Sequence, residues 1–266
     1  MATMTEYTPG TPCWIDLSTT DLDAAKKFYT AVLGWKDYEE GPEETGHYTM
    51  PKLKGESVAG MMTQMPDEKA MGVPPHWNTY VRVDSADDAA KKAKDLGAMV
   101  VVEPMDVMDV GRMAVFLDPE GAGICVWQPN QHKGAGVVNE PGAFCWSELY
   151  TKDLAAAKKF YTGLFGWKAE THEGGMAYTE WKVGDRTVGG MLEITPEMGP
   201  IPPNWLTYFA VNDTDAATEA AKKAGGSAMM GPMDIPDVGR FAVLADGQGA
   251  VFAVIKMGGT HETSSA

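Results

Sequence analysis

Cys13 to Lys36 reads CWIDLSTTDLDAAKKFYTAVLGWK, and Cys145 to Lys168 reads CWSELYTKDLAAAKKFYTGLFGWK. Sixteen of the 24 positions coincide at an offset of 132. Two further pairs lie in phase with this one. PMDVMDVGRMAV from Pro104 and PMDIPDVGRFAV from Pro232 agree at nine of 12 positions, and PPHWNTYVRV from Pro74 answers PPNWLTYFAV from Pro202. A self-match at a fixed period marks a repeat architecture. The chain of 266 residues is therefore a tandem duplication. Its copies are read as residues 9–129 and 141–257. The linker, 130–140, lies within QPNQHKGAGVVNEP (Gln128 to Pro141), a run of Gly, Pro and Asn that suits a connection.

Each copy divides again. In the first, residues 13–17 form a short apolar-rich strand. Asp21 is a good helix N-cap, and Leu22, Ala25, Phe28, Tyr29 and Val32 repeat at helical spacing until Gly34 stops the run. Strands are predicted over 48–54 and 57–64, around the turn at Gly55. The second half predicts a strand over 78–83 and a helix over 87–96 ended by Gly97. Three strands follow over 98–103, 112–117 and 123–128, the last two joined by the turn Asp118-Pro119-Glu120-Gly121. Each half reads as a βαβββ unit, and four such units account for the chain. The fold class is α+β: a tandem pair of domains built from four βαβββ units, with sheets curved into cups. Cups lined by inward-facing strand residues are where small ligands sit.

Composition narrows the function. Acidic residues number 37 against 22 basic ones, a net charge of −15 that repels a phosphate backbone or an anionic membrane. No nucleic-acid or membrane partner is expected. The start, MATMTEYTPG, has neither the basic nor the apolar region of a signal peptide. Three cysteines without a CxxC fit a reducing compartment, so a cytoplasmic protein, monomer or homodimer, is expected. Methionine, a flexible apolar side chain, occurs 18 times. The tail from Gly258 to Ala266 is small and polar and is expected to fray.

DLDAAKKFYTAVLGWK and DLAAAKKFYTGLFGWK resemble the D-L-x-x-A-x-x-F-Y-x-x-x-L-G-[FW] helix signature of the vicinal oxygen chelate superfamily. That superfamily holds glyoxalase I, bleomycin-resistance proteins, fosfomycin-resistance enzymes and extradiol dioxygenases. AVFLDPEGAGICVWQ resembles its D-P-x-G turn and final strand. The GTPCWIDLSTTD start, PPHWNTY and PDVGRFAVL are similar to a two-domain, glyoxalase-like group of mycobacteria and other actinobacteria, described as hydroxylases or glyoxalase-like proteins. The resemblance covers nearly the whole chain, twice over.

It implies a divalent metal held by His, Gln or Glu on the first and last strands of paired units. The matching first-strand positions here are Trp14, Trp146, Asn78 and Leu206. The matching last-strand positions are Cys125 and Ala253, with Met61 and Met191 near those of the other units. None is His, Gln or Glu, and hard divalent metals want carboxylate or imidazole. A metal-free cup is expected, with no cofactor, although a divalent metal stays open. His47, His76, His132, His172 and His261 are scattered without HxxxH spacing and read as surface or loop residues.

Strand alternation then gives the lining. If Trp14 points inward, so does Asp16. Asn78 goes with Tyr80, and Cys125 with Trp127, with Met61 near. The second cup holds Trp146, Glu148, Leu206, Tyr208, Met191, Ala253 and Ile255. Such a lining suits a planar or apolar organic molecule, including one with a cationic group. Each feature has a plainer alternative. The strand tryptophans also read as core. Asp16 and Glu148 read as general bases or as exposed strand-end carboxylates. Arg112 and Arg240 read as anion ligands or as partners of Asp109 and Asp237. Cys125 reads as a buried inert thiol. Phe28, Tyr29, Trp35, Phe160, Tyr161 and Trp167 read as core. The expected function is to bind, sequester or detoxify a small organic molecule. The alternative is a glyoxalase-like lyase, or a hydroxylase- or dioxygenase-type enzyme, acting through Asp16 or Glu148.

Overall fold

A computed structural model describes residues 4–172 and 177–258. His261 and the tail beyond Gly258 lie outside these residues, so the readings placed on them have no structural counterpart here. The first copy runs β1 (Pro12–Thr19), α1 (Leu22–Leu33), β2 (Asp37–Glu40), β3 (Thr49–Leu53), β4 (Glu56–Ser57), β5 (Gly60–Thr63) and α2 (Pro66–Ala70). It continues with β6 (His76–Arg82), α3 (Ala86–Asp95), β7 (Met99–Val107), β8 (Gly111–Leu117) and β9 (Gly123–Pro129). The second copy runs β10 (Phe144–Thr151), α4 (Leu154–Phe165), β11 (Lys168–His172), β12 (Tyr178–Val183) and β13 (Arg186–Glu193). It ends with β14 (Asn204–Ala210), α5 (Thr214–Lys223), β15 (Ser227–Ile235), β16 (Gly239–Ala245) and β17 (Val251–Met257).

The predicted elements are present, with the strand read over 57–64 divided into β4 and β5, and the first copy adds β2 and α2. β2 had no apolar alternation to reveal it, because Asp37–Glu40 is an edge strand with three exposed positions. α2 is a five-residue helix started by Pro66, with Glu68 reaching back to the Met65 amide. α1 begins where Asp21 accepts from the Ala24 amide at 3.0 Å, a cap worth about 1 kcal/mol. It ends at Gly34, whose φ of 78° is the left-handed conformation glycine adopts freely.

The sheet order shows which units pair. One sheet runs β2-β3-β5-β1-β6-β9-β8-β7 with β4 on β3, and the other runs β11-β12-β13-β10-β14-β17-β16-β15. The first strands of consecutive units, β1 with β6 and β10 with β14, lie antiparallel at the centre. Each curved sheet is thus one copy, and each cup is made by the two units of that copy.

The helices cover the opposite faces, and there the copies fuse. One core joins Ile15, Phe28, Tyr29 and Trp35 of the first unit to Phe209, Ala217 and Phe252 of the last. A second joins Ala90 and Phe116 of the second unit to Phe160, Tyr161 and Trp167 of the third. The six aromatic residues read as core, at helical spacing or just past the helix, are all buried.

The signature residues make this seam specific. Tyr29 donates to Asp246 at 3.2 Å and accepts from Trp77 Nε1 at 2.9 Å. Tyr161 does the same with Asp118 at 2.9 Å and Trp205 at 2.8 Å. The helix tyrosine of each copy therefore reaches the Asp of the other copy's closing turn. Trp35 donates to the Gly142 carbonyl and Trp167 to the Gly10 carbonyl, both at 2.7 Å. Two interlocked cores keep the cups in place without any residue of the cup faces.

Candidate ligand-binding cups

Alternation along β1 sends Ile15 and Leu17 into the helix-side core and Trp14 and Asp16 to the other face. Across the antiparallel pair, Trp14 lies opposite Tyr80 and Asp16 opposite Asn78, while Cys125 and Trp127 follow from β9. Trp14, Tyr80, Cys125 and Trp127 share one apolar cluster with Tyr7 and Ala135, and Tyr48, Met50 and Met113 pack against it. This is the lining of the first cup.

Asp16 is its polar centre and is only 2% exposed. One carboxylate oxygen accepts from Asn78 Nδ2 at 2.9 Å. The other accepts from the hydroxyls of Tyr80 at 2.9 Å and Tyr48 at 3.0 Å. Tyr48 in turn accepts from Trp14 Nε1 at 2.9 Å. Burial pushes the Asp16 carboxyl above its ordinary range, although the three hydrogen bonds pull the other way. Burial beside Asp16 likewise pushes the Tyr48 and Tyr80 phenols up.

The second cup repeats the arrangement. Glu148, 5% exposed, accepts from Tyr178 and Tyr208, each at 2.9 Å, and Trp146 Nε1 donates to Tyr178 at 3.1 Å. Burial raises its carboxyl too. Leu206, Tyr208, Ala253 and Ile255 line this cup with Tyr150, Phe241 and Val243, and Trp146 packs against them. Lys152, Ile194, Pro196, Ile201 and Pro202 line an open depression at the surface, and two of them, Ile194 and Ile201, also pack against the cup's apolar cluster.

Glycine makes the clusters possible. Gly60 sits opposite Asp16 on β5, and a Cβ there would lie 1.8 Å from the Tyr48 hydroxyl. Gly190 stands opposite Glu148 on β13, and its Cβ would lie 1.9 Å from the Tyr178 hydroxyl. Only a residue without a side chain lets each tyrosine reach its acid.

Several expectations are corrected. Met61 and Met191 do not line the cups. The parallel register sets Gly60 beside Asp16 and Gly190 beside Glu148, so each methionine turns to the opposite face and is fully buried in a helix-side core. Asp16 and Glu148 are buried rather than exposed strand-end carboxylates. Arg112 pairs with Asp87 and Asp106, and Arg240 with Asp215 and Asp234, instead of with Asp109 and Asp237, because the bulged hairpins carry the arginines across to the helices α3 and α5. Cys125 is buried, and burial drives its thiol well above the ordinary range. His47 pairs with Glu40 and His172 with Glu180, on the surface. His132 belongs to the linker but turns inward, with its ring centroid 4.3 Å from that of Trp14.

Sequence reasoning missed Tyr48, Tyr178 and Tyr150. A signal existed for the first two: Tyr48-Thr49 and Tyr178-Thr179 recur at an offset of 130, as Gly60 and Gly190 do.

A model of the glyoxalase/bleomycin resistance protein/dioxygenase superfamily matches residues 13–126 and again 138–254. The chain belongs to this superfamily. The Mycobacterium bovis protein named "Putative glyoxylase CFP32" is 45% identical over 96% of this chain and 98% of its own length. "Anthracycline biosynthesis protein DnrV" of Streptomyces peucetius is 36% identical, with 96% of each chain covered. Among solved structures, the Mn(II)-bound glyoxalase of Novosphingobium aromaticivorans aligns with a TM-score of 0.64 at 17% identity, covering 93% of this chain and 82% of that one. The 2,3-dioxygenase LapB of Pseudomonas sp. KL28 aligns with a TM-score of 0.63 at 15% identity, covering 95% and 94%. At these identities the solved structures show the shared fold.

The superfamily's metal finds a poor donor set in these cups. Each offers one buried carboxyl whose oxygens already accept hydrogen bonds from phenols. Around it stand indole, phenol and aliphatic groups, and in the first cup also the Asn78 amide, which already donates to Asp16, a thiol whose burial opposes ionisation, and the single imidazole of His132 packed on Trp14. Among the described residues, no three His, Cys, Asp or Glu side chains converge as a ligand set. The residues present do not fit a divalent metal, and no chemistry is derived through one. Nor is any helix among the described residues long and apolar enough to cross a membrane.

Proposed function

We propose that this superfamily member binds a planar organic molecule in its cups, without a metal, and so sequesters, carries or detoxifies it. One observation carries the reading. In both copies the place where a metal-binding relative would gather ligands holds a buried Trp–Tyr–carboxyl–Tyr cluster inside an aromatic and aliphatic wall. Such a wall favours flat apolar surface, and a few converging polar groups at its floor orient a polar substituent. The relative DnrV supports the choice of ligand class, since its name places it in anthracycline biosynthesis and anthracyclines carry fused planar rings. The three free cysteines fit a reducing cytoplasm, and the net charge of −15 argues against nucleic acid as partner. Metal analysis of protein purified from cells, with thermal melts across a library of aromatic compounds, tests the reading. The expected result is less than stoichiometric metal and stabilisation by flat aromatics. Stoichiometric Ni, Zn, Mn or Fe lost on mutation of a cup residue overturns it.

A second reading, an enzyme acting on a small electrophile, is favoured by the carboxyls themselves. Both are buried, both are raised toward the protonated form, and both touch phenols, as suits a general acid or base. Turnover of methylglyoxal or another electrophile that Asp16→Asn or Glu148→Gln abolishes supports it. Turnover unchanged in both variants removes these residues from any such role.

A further inference from the structure

The apolar surface that this chain leaves in water is made of methionine. Among the described residues, nine of the eleven large apolar side chains left exposed are Met, and the other two are Val. Six of the nine sit on two matching hairpins. Met99, Met105 and Met108 lie on β7 and the turn after it, and Met229, Met230 and Met233 on β15, each 39–65% exposed. β7 and β15 are outer strands of the two sheets. They are poor edges for recruiting another strand, since Pro104 and Pro232 lack an amide and bulges interrupt both registers. Met105 lies opposite Met113, and Met113 opposite Trp127, a row that runs from the exposed edge into the first cup's apolar cluster. Met233, Phe241 and Ile255 form the matching row of the second cup. Leucine or valine would cover the same surface. What a thioether adds is a sulfur lone pair open to water.

We propose that these exposed methionines are the chain's sites of reaction with hydroperoxides, a sacrificial layer that spares the thiols and indoles of the cups whatever the cups bind. The sulfur lone pair attacks one peroxide oxygen, the O–O bond breaks and an S–O bond forms. Sulfur is oxidised by two electrons to the sulfoxide, and the peroxide is reduced to water, which takes up the remaining proton. Thiolates would win this competition, but the three thiols are withheld from it. Cys13 and Cys125 are buried and Cys145 is half-buried. Cys13 and Cys145 donate to the Tyr80 and Tyr208 carbonyls, both at 3.5 Å. Burial raises all three thiols above the ordinary range, against the ionised form that reacts. The product also suits the place where it forms. A sulfoxide at an exposed position stays solvated, whereas one on Met61 or Met191 would carry a polar group into a helix-side core.

The test treats the full chain at neutral pH with hydrogen peroxide, at fewer equivalents than there are exposed methionines, and maps oxygen uptake by peptide mass spectrometry. The six hairpin methionines are expected to gain oxygen at least about tenfold faster than Met61 and Met191. All three thiols should still titrate after denaturation, and the thermal midpoint should stay within about 2 °C of that of untreated protein. A variant carrying Met99→Leu, Met105→Leu, Met108→Leu, Met229→Leu, Met230→Leu and Met233→Leu removes the layer. At the same dose its loss of thiols and indoles should rise about threefold. Glutamine at the same six positions, polar and equally without sulfur, gives the same comparison where leucine causes aggregation, and thermal melts confirm that the variant used is folded. Thiols lost before any sulfoxide forms, or Met61 and Met191 oxidised as fast as the hairpins, overturns the assignment of the sites. Equal loss of thiols and indoles in wild type and variant, or a midpoint that falls with the first oxygen gained, overturns the protective role.

Discussion

The two cups share a floor and differ in their walls. Trp14, Tyr48, Asp16 and Tyr80 in one correspond to Trp146, Tyr178, Glu148 and Tyr208 in the other, with matching hydrogen bonds. Around this constant cluster, Asn78 faces Leu206 in the comparison, Cys125 faces Ala253, Trp127 faces Ile255, and Ser18 faces Tyr150. At the edge of the first cup Glu68 of α2 accepts from Ser18 at 3.0 Å, and the linker brings His132 to its wall. The second cup has Ile194 and Ile201 at the corresponding edge, beside an open surface depression. The buried acid and its phenols recur in both copies while the residues around them differ. The changed walls make the first cup more polar and the second more apolar.

The largest expected effects come from filling the glycines. Gly60→Ala places a methyl group on the Tyr48 hydroxyl, and Gly190→Ala places one on that of Tyr178. Each tyrosine must leave, which strips a donor from a buried acid and a partner from an indole. A loss of about 3 kcal/mol in urea denaturation is expected for either variant. Ligand binding should vanish in the mutated cup and persist in the other. Equal stability of Gly60→Ala and wild type would mean that Tyr48 does not rest on Asp16.

The seam should respond symmetrically where the cups do not. Tyr29→Phe leaves Asp246 and the Trp77 indole short of a partner, and Tyr161→Phe does the same to Asp118 and Trp205. Each is expected to cost about 2 kcal/mol in the same assay. Because both tyrosines cross between copies, each variant should still unfold in one transition. Two separated transitions in either would show that the copies fold independently.

Much of this was legible in the sequence because repetition and periodicity report backbone and burial. The 132-residue offset located the copies, the helix spacing located the seam residues Phe28 and Tyr29, and Trp35 was read as core from its place just past the helix. Alternation from Trp14 put Asp16, Asn78, Tyr80, Cys125 and Trp127 on one face, as the strand register does. Register between strands was not legible. Counting along β5 could not tell Gly60 from Met61, and a one-residue difference turns a side chain to the other face. Tyr48 comes from beyond an edge strand with no apolar pattern, and His132 from a linker whose path is fixed by backbone hydrogen bonds. A chain of local patterns does not state what folds back over what.

The smallest expected effect separates the two acids. Both carboxyls are raised by burial, so the folded protein holds their protons more tightly than the unfolded chain does. The stability this contributes is fully present below the ordinary values, 3.8 for Asp16 and 4.5 for Glu148. It is lost as pH rises through the folded-state values. Asp16→Asn and Glu148→Gln cannot titrate, so the stability of wild type relative to either variant should decline as pH rises above the ordinary carboxyl range. The offsets at low pH should differ between cups. In the first, the Asn78 amide fixes a carbonyl at one position, and the new amide nitrogen then faces both Tyr48 and Tyr80, which must both turn to accept. In the second, Tyr178 and Tyr208 face different oxygens of Glu148, with Tyr150 a third phenol beside the acid, so the new amide nitrogen can take the Tyr178 side and only that tyrosine must turn. Glu148→Gln should therefore be milder than Asp16→Asn by about 1 kcal/mol, read from denaturant midpoints at about pH 4. A relative stability that stays level across this pH range would mean that the buried acids titrate as they do in the unfolded chain, and that neither cup floor raises its acid.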